Sequence, residues 1–107
     1  MRTFGNRQGT TGAFGSGVVA TPDYVDARVL AAGVAEAHTV PALAKWVLFS
    51  SDNNFYARGT GTAAVPGADV TDGTGSVLNP VAWELNGIAT ISLISPYATV
   101  VTMAFYQ

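Results

Sequence analysis

Cysteine is absent from this chain of 107 residues, and charged side chains are scarce. The lack of thiols excludes a disulfide framework, thiolate-bound metal ions and cysteine nucleophiles. Small secreted domains often depend on disulfides, so the same absence favours a protein made in a reducing cytosol. Residues 1–17 also lack the apolar core of a signal peptide, which supports that expectation.

Charged residues make up 11% of the sequence, against about 25% in an average soluble domain. The five cations are scattered and the net charge is −2, so binding of nucleic acid by phosphate neutralisation is not expected. The hydrophobic fraction of 49% is the opposite of a disordered composition, and most of the chain is expected to fold. Its surface, poor in charge, is expected to be covered in part by partners.

Residues 1–22 differ in composition from the rest of the chain. They contain five glycines among Thr, Ser, Asn and Gln, and their large apolar side chains before position 18 are one methionine and two phenylalanines. Such a segment does not build a core, so it predicts an N-terminal arm that is either flexible or ordered on a partner. The candidate partner-binding residues are Arg2, Phe4, Arg7, Phe14 and Tyr24.

Residues 23–107 have the short β-branched and aromatic segments of a β domain, separated by Gly, Pro and Asn turns. A turn or a single helical turn is predicted at 21–27. An extended segment with a bulge or turn at Gly33 then runs to Pro41. The long loop that follows position 58 is expected to contain one short strand near 62–65.

Two hairpins are predicted from turn signals. The first joins 44–50 to 55–58 through the turn cluster SDNN. The second joins 81–85 to 89–95 through Asn86-Gly87, the strongest hairpin signal in the chain. Alternation within these strands predicts which side chains face the core. The inward set is Val47, Phe49, Trp83, Leu85, Ile91, Leu93, Val101, Met103 and Phe105.

The closing run from Ile91 to Gln107 carries no charge. A membrane-spanning helix needs about 20 predominantly apolar residues, whereas this run has period-two polarity and is interrupted by Pro96. It predicts two antiparallel strands with a second face that is too apolar for a freely solvated sheet. The candidate oligomer-interface residues on that face are Ile94, Val100 and Tyr106.

Taken together, the patterns predict an all-β fold, an antiparallel β-sandwich or jelly-roll-like domain at 23–107 preceded by the arm at 1–22. A core of about 80 residues buries little apolar area, so self-association with closed symmetry is expected to add stability.

The sequence gives little support for a catalytic site or a metal site. His38 is the single histidine, in a strand pattern without a nucleophile turn, and is interpreted as a polar strand-edge residue. Four scattered acidic residues, Asp52, Asp69, Asp72 and Glu84, leave a glycosidase as a remote hypothesis. Asp69 and Asp72 are the most plausible Ca²⁺ ligands, but an Asp-Gly turn is the preferred interpretation. We therefore expect no enzyme activity, metal or cofactor.

Two stretches, HTVPALAKWVLFSSDNNFYAR and NPVAWELNGIATISLISPYATVVTMAFYQ, resemble small structural virion proteins of tailed bacteriophages. The likeness covers about residues 28–107 and departs from the pattern at Leu43, where a glycine is expected in the turn after Pro41. It implies a capsid decoration or cement protein, assembled in the host cytoplasm and bound to the major capsid protein on the virion surface. A homotrimer is expected from the three-fold sites of such particles.

Two alternatives stay open. A head-tail or tail structural component fits the same resemblance. A carbohydrate-binding β-sandwich, with or without Ca²⁺, would use Trp46 and Tyr56 for stacking and Asp69 and Asp72 for the ion.

Overall fold

The computed structural model describes residues 21–107, which form eight strands and no helix. The strands are β1 (Tyr24–Leu30), β2 (Glu36–Thr39), β3 (Trp46–Ser51), β4 (Tyr56–Arg58), β5 (Val77–Leu78), β6 (Ala82–Glu84), β7 (Thr90–Ile94) and β8 (Thr99–Tyr106). Within these residues there is accordingly no helix long and apolar enough to cross a membrane.

The strands form two four-stranded sheets. Sheet A has the order β1-β8-β3-β6, and sheet B has the order β2-β7-β4-β5. All pairings are antiparallel. Successive strands lie in alternate sheets, except that β4 and β5 share sheet B. This order confirms the predicted antiparallel β-sandwich with jelly-roll-like topology.

The core lies between the two sheets and agrees with the inward set predicted from alternation. Eight of those nine residues belong to the buried core cluster, and Trp83 is partly buried against it. Phe55, Leu30 and Ala57 complete the core. Its edge-to-face contact between Phe49 and Trp83, with ring centroids 5.1 Å apart, is an arrangement that aromatic rings prefer.

Both predicted hairpins are wrong, although the turns themselves are present. Asn86 and Gly87 adopt the positive φ angles of 42° and 84° that their turn signal predicts. However, β6 belongs to sheet A and β7 to sheet B, and β3 and β4 are separated in the same way. Each turn therefore carries the chain from one sheet to the other, because both flanking strands direct an apolar face into the shared core.

Three further expectations need correction. Residues 21–27 contain no helical turn, since β1 begins at Tyr24. No strand forms at 62–65; the short strand of this region is β5, at Val77–Leu78. The predicted inward face of 81–85 begins at Trp83, because Val81 is 74% exposed. The predicted turn at Gly33, by contrast, is confirmed by its φ of 74°.

The turn between β2 and β3 contains an unusual backbone conformation. Leu43 has a φ of 73° and is 75% exposed. The amide of Ala44 donates to the carbonyl of Pro41 at 3.2 Å and closes the turn. Left-handed backbone favours glycine, so the glycine expected at this turn would adopt its conformation more readily than leucine does.

Candidate functional site

The outer face of sheet A is the most apolar surface that a sheet presents in the described chain. Its residues point away from the core, on the opposite side of each strand from the buried residues. They are Val25, Ala27 and Val29 of β1, Val100, Thr102, Ala104 and Tyr106 of β8, Trp46, Leu48 and Ser50 of β3, and Ala82 and Glu84 of β6. One of these twelve side chains is charged. Antiparallel sheets that face water normally present a polar outer face, so this face has the composition of a contact surface.

Strand register places the apolar side chains of this face in continuous rows. Val25 lies opposite Ala104, which in turn lies opposite Leu48 on the other neighbouring strand. Val29 lies opposite Val100. Val25 and Val29 remain 55% and 73% exposed, so the β1 side of the face is accessible in the described structure.

The outer face of sheet B is covered in part by the chain's own loop 59–76, whereas Ala37, Thr39 and Thr90 on the same face are exposed. The amide of Ala63 donates to the hydroxyl of Ser92 at 2.8 Å, and Ala63 is 2% exposed. Ile94, two residues further along the same face, is 8% exposed. Ile94, a predicted interface residue, is therefore buried within the chain and offers a partner little surface.

The other two interface candidates differ from each other. Tyr106 lies at one end of the outer face of sheet A but is only 3% exposed, so it offers a partner little surface. Val100 is 37% exposed and remains available. Of the three predicted residues, Val100 alone keeps substantial accessible surface.

A polar network closes the edge of the sandwich where β1 and β2 lie across from each other. Asp26 Oδ2 lies 2.6 Å from His38 Nε2, and Arg28 Nε donates to His38 Nδ1 at 3.1 Å. Arg28 Nη1 also forms an ion pair of 3.0 Å with Glu36. Inward-pointing charged residues at an edge discourage pairing with another chain's strand. The network therefore favours the flat outer face of sheet A over this edge as a contact surface.

Both ring nitrogens of His38 are engaged in that network. Because Nδ1 accepts from Arg28, the ring proton lies on Nε2 and is donated to Asp26. The ring also stacks on Phe105, with centroids 6.0 Å apart. A general base needs a free nitrogen toward its substrate, so His38 in this arrangement joins the two sheets instead.

The arm candidates Arg2, Phe4, Arg7 and Phe14 lie outside the described residues. Tyr24, the remaining candidate, is 53% exposed. It borders a small pocket of ≈ 230 Å³ together with Pro41, Ala44 and Tyr106. Its ring meets Phe105 edge-on at 6.5 Å. The pocket therefore lies close to the start of the described residues, where the predicted arm at 1–22 joins the domain.

Asp72 forms a local turn with Thr74. Its Oδ1 accepts the hydroxyl of Thr74 at 2.6 Å and the amide of the same residue at 3.1 Å. These hydrogen bonds, led by the hydroxyl, lower the pKa of Asp72 below its ordinary 3.8. No group of three or more acidic or histidine side chains within residues 21–107 is arranged to hold a metal ion. The contacts therefore match the preferred Asp-Gly turn.

The aromatic candidates for sugar stacking do not meet. Trp46 alternates with the buried Val47 and points outward from sheet A. Tyr56 alternates with the buried Ala57 and points outward from sheet B. The two rings lie on opposite faces of the sandwich, so one sugar cannot stack on both.

Sequence reasoning missed the network at the β1–β2 edge. Its signal is present, since Asp26 and Arg28 are two residues apart, as are Glu36 and His38. In a strand this spacing puts each pair on one face. The sequence does not show that these faces of β1 and β2 point toward each other.

Comparison of the chain with models of known protein families, with curated proteins and with solved structures finds no match.

Proposed function

We propose that this protein is a non-enzymatic structural component of a bacteriophage particle, a decoration or cement protein that binds the head. The observation that carries the proposal is the outer face of sheet A, which presents rows of small and apolar side chains and a single charge. A protein that attaches to a partner needs an apolar contact surface of this kind. A sheet face that stays exposed to water has no physical reason to be so apolar.

The topology supports the same proposal by analogy. Eight-stranded jelly rolls are found in viral capsid domains and also in lectins, so the fold is compatible with a virion role without specifying it. Trp46 and Tyr56, the two aromatic residues considered for sugar stacking, lie on opposite faces of the sandwich, which favours the first use over the second. The network of four hydrogen-bonded residues at the β1–β2 edge is consistent with a rigid structural module.

A second copy of the chain is the occupant proposed for the outer face of sheet A. The strands of sheet A have 7, 8, 6 and 3 residues, and at about 3.3 Å along and 4.8 Å across per residue they give a patch of roughly 400 Å². Two copies packed face to face would bury on the order of 800 Å² from the strands alone, which is the size of a weak interface. Closed symmetry of some order is expected, and the arm remains available for the major capsid protein.

Self-association is tested by charging the face. The variant Val25→Lys with Val29→Lys places two cations on its exposed β1 side, where each must be desolvated on association. Sedimentation equilibrium at micromolar concentration is expected to show an oligomer for the wild type and a monomer for the variant. Val34→Lys changes a 51% exposed valine in the β1–β2 turn and serves as the matched control. A monomeric wild type would refute the oligomer.

The virion role is tested on particles of the phage whose genome encodes the chain. Mass spectrometry of purified particles is expected to detect the protein, and separation of heads from tails distinguishes decoration from a tail role. Particles made without the gene are expected to release their DNA at a lower temperature, and adding purified protein should restore resistance. Absence of the protein from the particles would refute the proposal.

A further inference from the structure

We propose that the cavity beneath loop 59–76 binds a small carboxylate ligand through the guanidinium of Arg58. The cavity has a volume of ≈ 500 Å³, within the range of small-molecule sites. It lies on the outer side of sheet B, away from the outer face of sheet A. Its lining combines Arg58 with hydroxyl and apolar side chains, namely Thr62, Ala64, Pro66, Val70, Thr74 and Ser76. The proposal is independent of the virion role.

Arg58 is a half-buried cation whose hydrogen-bonding capacity is unused. Across residues 21–107 it donates no hydrogen bond and joins no ion pair, whereas Arg28 contacts Glu36, His38 and a backbone carbonyl. A guanidinium carries five N–H donors in a fixed planar fork. Partial burial removes part of the water that would otherwise hydrate these donors. A ligand that accepts hydrogen bonds from them therefore has less water to displace.

Gly61 leaves room for the guanidinium of Arg58. A side-chain carbon at this residue would lie 3.0 Å from Arg58 Nη1 and 3.1 Å from Cζ, so the group occupies the space a larger residue would fill. The φ of 132° at Gly61 is also a conformation that favours glycine. The glycine therefore keeps open the space in which the guanidinium lines the cavity.

Hydroxyl groups supply a second donor toward the same space. Ser76 Oγ accepts the amide of Ala64 at 3.1 Å, which leaves its own hydrogen free to donate. Thr74 instead donates its hydroxyl to Asp72 at 2.6 Å. Arg58, Ser76 and Thr62 are therefore the groups available to contact a ligand oxygen. Pro66 and Val70 offer apolar contact to its body.

The charge balance selects a carboxylate over a phosphate. One cation lines the cavity, and its field reaches Asp72, where it contributes to the lowered pKa of that carboxyl. A dianionic phosphate would face Asp72 with one compensating charge. A carboxylate carries one charge, and its two oxygens match the guanidinium fork in a bidentate pair.

The test is an NMR titration of the full chain at constant ionic strength, observing the Arg58 Nε–H signal. The probes are sodium acetate, sodium glucuronate, glucose and methyl phosphate. The two carboxylates are expected to shift the signal saturably, with dissociation constants in about the millimolar range. Tighter binding of glucuronate assigns the cavity to sugar acids, and tighter binding of acetate assigns it to simple carboxylates. An unsaturable shift that chloride reproduces would overturn the proposal.

Variants separate a specific pair from general electrostatic attraction. Arg58→Gln is expected to abolish saturation, and Arg58→Lys is expected to weaken binding about tenfold because it keeps the charge but loses the fork. Lys45→Gln removes an exposed cation outside the cavity and should leave binding unchanged. Equal binding by wild type and Arg58→Gln, in a variant whose amide spectrum shows an intact fold, would contradict the proposed site.

Discussion

Replacement of Leu43 by glycine is expected to stabilise the protein. The φ of Leu43 is 73° and its side chain is 75% exposed. The residue therefore has a strained left-handed backbone, and its apolar side chain buries little surface to offset that strain. Left-handed backbone costs a side-chain-bearing residue roughly 1–2 kcal/mol. Glycine removes that cost but adds about 0.4–1 kcal/mol of backbone entropy to the unfolded chain. The net gain is about 0.8 kcal/mol.

For a domain of this size, that gain corresponds to a rise in melting temperature of about 3–6 °C. Thermal unfolding followed by circular dichroism, with urea unfolding as an independent measure, would detect it. The experiment belongs at concentrations where the oligomeric state is the same for all variants, because association also changes the melting temperature.

Leu43→Ala is the matched control. Alanine removes the exposed side chain but keeps the β-carbon that causes the strain, so its melting temperature should stay near that of the wild type. Leu43→Asn should fall between the two, since asparagine tolerates this conformation better than leucine does. The reasoning would be refuted if alanine stabilised as much as glycine, because the effect would then come from the exposed apolar group and not from the backbone.

Three further outcomes are expected. Leu93→Ala should lower the free energy of unfolding by about 2–5 kcal/mol in urea titrations, because the side chain is fully buried between the sheets; a loss below about 1 kcal/mol would contradict that packing. His38→Leu should cost about 1–3 kcal/mol in the same assay, because it removes the partner 2.6 Å from Asp26; an unchanged urea midpoint would show that the contact adds nothing. Thr74→Val should raise the pKa of Asp72 toward 3.8 in a ¹³C NMR titration, and the wild-type stabilisation by this contact should be present above pH 3.8 and be lost as the pH falls through the lowered pKa.

Local sequence signals predicted most of the strands and the core, but not β5 or the pairing of strands. Alternation identified Val47 and Phe49 as inward-facing because a strand that borders one core must bury every second side chain. The Asn86-Gly87 signal specified a reversal of the backbone, and the reversal is present. Whether the reversed strand pairs with its predecessor or lies across from it depends on distant strands that compete for the same edge. No local pattern contains that information.

The candidate surfaces were predictable to a similar extent. The excess of apolar residues on the second face of the closing strands was visible in Val100 and Ile94. It did not reveal that Ile94 would be buried or that loop 59–76 would cover Ser92 on the same face, because a loop without regular structure leaves no periodic signal. The cavity of Arg58 was missed for the same reason, since it is formed by that loop and by a residue on β4.

The alternation of strands between sheets has a consequence for the kinetics of folding. The strand partners nearest in the chain are β4 and β5, which are separated by the whole of loop 59–76, and no other pair is closer in sequence. Without a hairpin to form early, each pairing must first overcome the entropy of closing a long loop. Sheet A in addition requires β8 between β1 and β3, so it cannot assemble until Thr99–Tyr106 has been synthesised. Completion of the fold should therefore follow translation of β8, on a timescale of about milliseconds to seconds, and β1, whose one strand partner is β8, must stay unpaired until then.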